Sequence, residues 1–462
     1  MKRLKQLLIA VLALVVVLLV AYRFSNKTPD SSLPLNVQVS AILNDAGCIM
    51  CHSTDANLPF YANFPIAKGL IQDHIKNGHH SEDLSGALKA IAAGEPVNEV
   101  SLAKIEQSVI EGTMPLFQYY IVHWGSTITT KQKEIIQNWI HQERLARYST
   151  NLSAEKFATE PVQPIHDAIP TDSAKVALGN LLYHDVRLSS DNTVSCATCH
   201  GLNTGGVDNK QYSEGVRAQL GGVNAPTVYN AYYNFVQFWD GRAATLALQA
   251  AGPPLNPIEM ACVSFDEIIA KLQADKEFTK KFMATYSQGY SEQTITDAIA
   301  EFEKTLITPN SKFDKYLKGD ESALTAEELE GYQLFKQNRC ATCHVGVNLG
   351  GQSYEPIQLY GDYFADRALE LTNEDNGRFK ETKLERDRHR FKVPGLRNIE
   401  LTAPYYHDGS KKTMEEAIQA MGKYQLNKTF TADQTNQMVA FLRTLTGEYN
   451  GKLLVNDNYK VQ

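Results

Sequence analysis

The sequence predicts an all-α protein, with helical units in tandem behind one N-terminal apolar helix. Three observations predict it. Cys-x-x-Cys-His occurs at 48–52, 196–200 and 340–344. Segments around these motifs carry helical periodicity and capping boxes, while strand-like alternation is scarce. The chain opens on Met1-Lys-Arg-Leu-Lys-Gln and then runs through apolar residues without a break from Leu7 to Tyr22.

Composition sets the outer bounds. At 462 residues, 43% hydrophobic and 21% charged, the chain has ordinary globular composition. Disorder, collagen-like repeats and a polytopic membrane protein do not fit it. The length suffices for about two to four domains. There are 45 basic and 52 acidic residues, a net charge of −7. No Lys/Arg run stands out, so no nucleic acid is expected as a partner.

Seven cysteines are an odd count, which a pure disulfide framework does not explain. Six of them form the three motifs: Cys48 and Cys51 with His52, Cys196 and Cys199 with His200, Cys340 and Cys343 with His344. A lone Cys-x-x-Cys fits a zinc knuckle or a redox dithiol. Three copies, each followed at once by His, are the attachment signature of c-type haem. The spacing lets two thiols form thioethers to the vinyl groups while the next residue reaches the iron. Three covalently bound haem c groups are therefore expected. Cys262 is left over, ahead of a helix-like segment from Phe265 to Leu272, and is expected to be a buried, inert thiol.

The elements follow in order. The apolar run is short for a spanning helix and long for a signal peptide core. No small-x-small cleavage site follows it in Ala21-Tyr22-Arg23-Phe24, so an uncleaved signal anchor is expected. Lys2, Arg3 and Lys5 then stay cytoplasmic, and the rest lies outside the cytoplasm, on the periplasmic side where c-type haem is attached. A Pro/Ser/Asn/Asp-rich stretch from Ser25 to Asn36 reads as the linker. The first unit closes on a helix-like stretch from Thr130 to Leu145, with Ile135, Ile136, Trp139 and Ile140 on one face. The second and third units look like distant copies. Each has Gly-x-x-Leu-aromatic upstream of its motif, at Gly179–Tyr183 and Gly331–Phe335, and each continues into Cys-Ala-Thr-Cys-His. Capping boxes are expected at Thr325–Glu328, Thr413–Glu416 and Thr431–Gln434.

The sixth iron ligand separates electron-transfer haems from open ones. In the first unit Met114, in Glu-Gly-Thr-Met-Pro-Leu-Phe, is the leading candidate, with His74, His79, His80 and His123 competing. In the third unit Met414, Met421 and Met438 compete. Met414 falls in a capping box and Met438 on the last apolar face, which leaves Met421. The second unit offers only Met260 and Met283, and neither sits where an axial ligand is expected. A haem with an open distal face can meet a small substrate.

Residues of about 165–447 resemble the bacterial di-haem cytochrome c peroxidases. The matching stretches include Leu-Ser-Ser-Asp-Asn-Thr-Val-Ser-Cys-Ala-Thr-Cys-His (188–200), Asn-Ala-Pro-Thr-Val-Tyr-Asn (224–230) and Phe-Trp-Asp-Gly-Arg-Ala (238–243). Others are Gly-Pro-Pro-Leu-Asn-Pro-Ile-Glu-Met (252–260), Val-Pro-Gly-Leu-Arg-Asn (393–398) and Thr-Ala-Pro-Tyr-Tyr-His-Asp-Gly-Ser (402–410). The extra haem unit and the anchor resemble the tri-haem, membrane-anchored branch that includes quinol peroxidases. The resemblance implies three cytochrome c-like haem domains in tandem behind one transmembrane helix. Their bounds are 1–28 for the anchor and start of the linker, 29–150 for the first haem domain, 151–318 for the peroxidatic domain and 319–462 for the electron-transfer domain.

Residue by residue, the resemblance implies that His200 is proximal on the peroxidatic haem and that Gln249 and Glu259 line its distal pocket. Peroxide cleavage needs a base to move a proton from the near to the far oxygen and a group to orient the substrate. Trp239 matches the family's tryptophan between two haems. Asn224, Thr402 and Pro404 match its calcium site, and one amide plus two backbone carbonyls with waters suits Ca²⁺. His344 and Met421 match the ligands of the electron-transfer haem. His407 lies in the Tyr-His-Asp-Gly turn, where a structural role is expected. One departure matters: many members carry a distal His sixteen residues after the proximal one, where this chain has Val216. The peroxidatic haem is therefore expected to need no reductive opening.

The function expected is a membrane-anchored tri-haem peroxidase that reduces hydrogen peroxide to water with electrons from the respiratory chain, from quinol. The alternatives are a c-type cytochrome donor and a di-haem enzyme oxidising a protein substrate. Met421 argues against the latter, because the cofactor-maturation branch replaces that Met with Tyr. A pure electron-transfer cytochrome is at odds with the open second haem. A homodimer stays open.

Overall fold

The computed structural model describes residues 2–457. These are mostly helical, with only two short antiparallel strand pairs, Tyr354–Pro356 with Arg390–Lys392 and Glu448–Tyr449 with Lys452–Leu453. The chain divides between Tyr148 and Ser149 into two compact units.

In the first unit the apolar helix Lys2–Ser25 leaves its side chains outside the core, and over Arg3–Ser25 it is long and apolar enough to cross a membrane. Its outer end is tied down rather than loose. Buried Asn26 donates from Nδ2 to the Trp124 carbonyl (2.8 Å) and accepts at Oδ1 from the Thr127 amide (3.1 Å). The Gln132 amide donates to the Lys27 carbonyl (3.2 Å). The core forms where Leu35–Asp45 and Glu99–Glu111 meet Thr130–Arg147. That last helix begins at a capping box of Thr129 with Gln132 and buries Ile136, Trp139 and Ile140, the face its periodicity marks. Arg144 on the same helix is buried against Glu99 (2.7 Å) and Glu106 (2.6 Å), so both signs of charge leave water together.

The second unit contains both later motifs and repeats one helix crossing. Ser173–Tyr183 packs on Glu292–Glu303, and Ala326–Gln337 packs on Ala432–Arg443. At the first crossing a Cβ on Gly179 would lie 1.9 Å from the Ala298 carbonyl oxygen. At the second, a Cβ on Gly331 would lie 1.9 Å from that of Gln437. Each crossing is closed by an aromatic pair, Tyr183 with Phe302 (5.3 Å between centroids) and Tyr332 with Phe441 (5.1 Å). The two glycines are thus the points where backbone touches backbone, which explains their recurrence in the two halves. Boxes form at Thr325–Glu328 and Thr431–Gln434. At Thr413 only half forms: its hydroxyl accepts from the Glu416 amide, but the Glu416 carboxylate turns to the Lys412 amide (2.7 Å). Cys262 is buried with Phe265 and Ile268 in the second-motif core, and burial pushes its thiol up, as an inert thiol requires.

Gly179→Ala should lower the unfolding midpoint of the holoprotein, because its methyl has nowhere to go; overpacking of this kind costs about 1–3 kcal/mol or more. Gly69→Ala, on helix Pro65–Ser81 with open space around it, should be neutral or stabilising by up to about 1 kcal/mol. Denaturant titrations of both variants check the contrast.

Candidate active site

The three Cys-x-x-Cys-His motifs fold alike. Cys48–His52 and Cys196–Cys199 are single helical turns and Cys340–Thr342 a 3-10 turn, and all six cysteines are half-buried and outside any disulfide. In each motif the His points Nδ1 at a backbone carbonyl: His52 to Glu82 (3.1 Å), His200 to Gly206 (3.3 Å) and His344 to Leu349 (3.0 Å). That bond fixes the ring and leaves Nε2 for a metal. Burial pushes all three imidazoles down, which keeps them neutral and able to ligate. Among the described residues no three His, Cys, Asp or Glu side chains converge as a metal cage, so the motifs are not folded as zinc knuckles. The residues present fit covalent haem.

The distal candidates differ from motif to motif. In the first unit Met114 is half-buried just after Gly112, the left-handed cap of helix Glu99–Glu111. His74, His79 and His80 lie on helix Pro65–Ser81, which packs against the motif itself, with Gly78 on the Cys51 carbonyl. The charge of His79 is felt at His52. His123 has both ring nitrogens engaged, Nδ1 by the Tyr119 carbonyl (3.1 Å) and Nε2 by the Tyr61 hydroxyl (2.5 Å). In the third, Met414 and Met438 are absorbed into the core, whereas Met421 stays half-buried on helix Met414–Leu426.

Around the second motif Met260 is core and Met283 is exposed on helix Lys276–Thr285. Val216 is fully buried in the same core as Met260, and its amide donates to the Glu259 carbonyl (2.8 Å). A Cβ on Gly215 would lie 2.1 Å from the Ile258 carbonyl, so the Val216 turn is clasped directly onto the loop that carries Glu259. Glu259 Oε1 accepts from Asn256 Nδ2 (2.7 Å). Burial pushes the Glu259 carboxyl up, while the Arg242 charge and the Asn256 hydrogen bond restrain the rise. The Glu259 charge is felt by both Cys196 and Cys199, which places it at this motif. Gln249 is half-buried on the short helix Leu246–Ala250, and its side chain makes no hydrogen bond among the described residues. Sequence reading alone singles out neither Arg242 nor Asn256. Their signal was present in Trp-Asp-Gly-Arg and in the three-residue spacing of Asn256 to Glu259.

Trp239 is half-buried and donates from Nε1 to the Asn224 carbonyl (2.9 Å). It packs at the edge of an aromatic cluster of Tyr363, Phe364, Phe391, Tyr406 and Tyr424, which reaches Ala420 beside Met421. His407 stacks on Phe391 (4.1 Å, 22°) and accepts the Asn224 amide at its own carbonyl (2.8 Å). Its Nε2 meets Asp375 Oδ1 (2.8 Å). Arg367 then bridges Asp375 (2.8 Å) and Asp408 (2.6 Å), and the Tyr363 hydroxyl donates to Asp408 (2.7 Å). Of the expected calcium residues, Asn224 is tied to this cluster through Trp239 and His407. Asn224 uses Nδ2 to donate to the Lys210 carbonyl (2.9 Å). Its Oδ1 and the carbonyls of Thr402 and Pro404 accept no hydrogen bond among the described residues. Three unpartnered oxygens of this type suit a hard cation with waters.

Fold and site together define a multi-haem c-type cytochrome with one motif set apart by an acid-bearing loop. Residues 173–322 match di-haem cytochrome c peroxidase, 12–142 a haem-binding domain and 329–446 cytochrome c. Cytochrome c peroxidase Ccp of Escherichia coli is 50% identical over 91% of this chain and 90% of its own. A cytochrome c551 peroxidase of Nitrosomonas europaea is 47% identical over 63% and 85%. Among solved structures, a MauG-like protein associated with microbial copper homeostasis superposes with a TM-score of 0.55 at 28% identity, covering 60% of this chain and 91% of its own. The chain belongs to the di-haem cytochrome c peroxidase family and is a haem peroxidase acting on hydrogen peroxide, with covalently bound haem c.

The buried Arg367 network gives a stability prediction. Burial pushes Asp375 up, but hydrogen bonds from His407 and Arg367 and the Arg367 charge outweigh it and hold the carboxyl well below its usual range. Asp408 is lowered likewise. Depressed carboxylates stabilise the fold above their unfolded pKa, and that stability is lost as pH falls through the folded values. Arg367→Gln strands two buried carboxylates and should cost about 3–5 kcal/mol at neutral pH. The deficit should shrink as the pH falls below about 4, and pH-dependent unfolding midpoints measure it.

Proposed function

We propose that this chain is a membrane-anchored tri-haem peroxidase that reduces hydrogen peroxide with electrons from quinol. The observation that carries the peroxidatic site is the Glu259 loop, clasped at the second motif, where Val216 stands in place of a ligating residue. Cys196, Cys199 and His200 hold the peroxidatic haem. Cys48, Cys51 and His52 with Met114, and Cys340, Cys343 and His344 with Met421, hold the two others. Haem supplies the redox chemistry when bound: H₂O₂ takes two electrons and two protons to give two waters.

The protein's own groups handle the protons. Glu259 accepts the proton of the near peroxide oxygen and returns it to the far one, so that the departing group leaves as water. A carboxyl raised by burial is better matched to that exchange than an exposed acid. Asn256 holds its Oε1 in place, and the Arg242 charge restrains the rise that burial imposes on the carboxyl. Gln249, with a free amide, orients the peroxide. Asn224, Thr402 and Pro404 would hold Ca²⁺, and Asn224 anchors the Trp239 indole through its own carbonyl. Trp239 and the aromatic cluster carry electrons from the Met421 side.

Helix Lys2–Ser25 supports anchoring, with the haem units on the periplasmic side, and an anchor brings the first haem to the quinol pool. The names of the relatives favour a second reading, a c-type cytochrome as donor.

Glu259→Gln keeps size and hydrogen bonding but cannot take up and return a proton. Peroxide turnover should fall by about 10²–10⁴-fold with haem content and redox spectra unchanged. Wild-type turnover at full haem loading would remove Glu259 from the mechanism.

A further inference from the structure

Around the first motif, one cluster is used by nothing described so far. Tyr61 and His123, 62 positions apart, share a hydrogen bond, and Tyr119 stacks on the His123 ring at 3.9 Å and 13°. Through Tyr119 the pair adjoins the first motif. A Cβ on Gly47, next to Cys48, would lie 2.2 Å from the Tyr119 hydroxyl, so that phenol rests on the residue that leads into the motif. It belongs equally to the outer end of the apolar helix. Asn26 holds the Trp124 carbonyl, one residue past His123. Tyr120 is raised chiefly by burial, with added pushes from Tyr22 of the apolar helix and from Cys48. Helix Phe117–Val122 therefore spans from the membrane segment to the haem attachment site.

The rim of this cluster is aromatic and exposed: Phe60 79%, Phe64 54%, Phe117 73% and Trp124 49%. Phe60 packs edge-on against both Tyr61 and Phe64 at 5.7 Å. Exposed aromatic rings beside a spanning helix are what the headgroup layer of a bilayer receives. At their centre stands a polar pair that is half-buried rather than sealed in. With both nitrogens engaged, the imidazole is not available to iron, and its neutral form accepts from Tyr61 while Tyr61 oxygen keeps a lone pair.

We propose that Tyr61 and His123 form a quinol-oxidising site, in which a quinol head group from the membrane stacks among the aromatic rings. This rests on the quinol-donor reading. A quinol hydroxyl donates to the Tyr61 oxygen as the Tyr61 proton passes to His123 Nε2, and His123 releases it to solvent. The quinol loses two protons here and two electrons, one at a time, to the first haem c. The electrons end on peroxide, so that quinol and H₂O₂ give quinone and two waters. Tyr61 and His123 act as proton acceptors, and the aromatic rim sets the preference for a flat, apolar-tailed donor.

The test uses the full holoprotein in phospholipid vesicles. Without peroxide, the reduction of haem by a short-chain benzoquinol and by a short-chain naphthoquinol is followed by stopped flow. Binding of the oxidised quinone is read from quenching of tryptophan fluorescence. His123→Gln should slow haem reduction by about 10²-fold. Tyr61→Phe, which keeps the ring, should slow it at least about tenfold and weaken quinone binding by a similar factor. Wild-type rates and affinities in both variants, with quinol reducing the wild-type protein, would overturn this site and leave the quinol donor standing. Failure of both quinols to reduce wild-type protein that still turns over peroxide with a small artificial donor would overturn the donor reading and the site with it.

Discussion

A haem held by two thioethers and a tethered histidine has one free side, and everything specific to this protein depends on what faces it. The three motifs share the constraint to the atom: each His turns Nδ1 to a main-chain carbonyl, so the ring cannot rotate and the proximal side is the same three times over. The difference lies elsewhere. The first and third units each keep a half-buried methionine, Met114 in a loop and Met421 on a helix, while Met414 and Met438 are consumed by core. Beyond the second motif Val216 is fully buried and holds the loop of Glu259. In the function proposed above, one fold supports two chemistries by exchanging these groups.

The chain beyond the third motif has a different burden. The electron path proposed through Trp239 needs fixed distances, and here the fixing is electrostatic as well as apolar. Arg367 is buried between Asp375 and Asp408, whose partners include His407 and Tyr363, and His407 in turn lies flat on Phe391 within the cluster that holds Trp239. Charges buried this way are costly to strip of one partner, so the network resists local opening. The main-chain bonds of Asn224 to both Trp239 and His407 couple the proposed cation site to the same cluster.

Local features were legible in the sequence because local rules decide them. The haem motifs, the buried face Ile136–Trp139–Ile140 and the boxes at Thr325 and Thr431 each depend on residues within one or two turns. Thr413 shows the limit, since Glu416 had a second amide within reach at Lys412. The pairing of Gly179 with Gly331 was visible as a repeat, but its reason, a carbonyl of a distant helix, was not. Long-range contacts left no periodic trace: Asn26 with Trp124, Tyr61 with His123, and Arg367 with two separate acids. Glu259 is one acid among many until the resemblance marks it. Its Asn256 clamp is local, but its burial and the reach of its charge to Cys196 are matters of tertiary structure.

The central claim is that the second haem rests open because Val216 stands where a ligand could be. Low-temperature electron paramagnetic resonance of the fully oxidised, as-isolated holoprotein tests it most directly. A high-spin ferric signal from one haem, present without prior reduction, is the result this account predicts. Spectra in which all three haems are low-spin with two protein ligands each would contradict it.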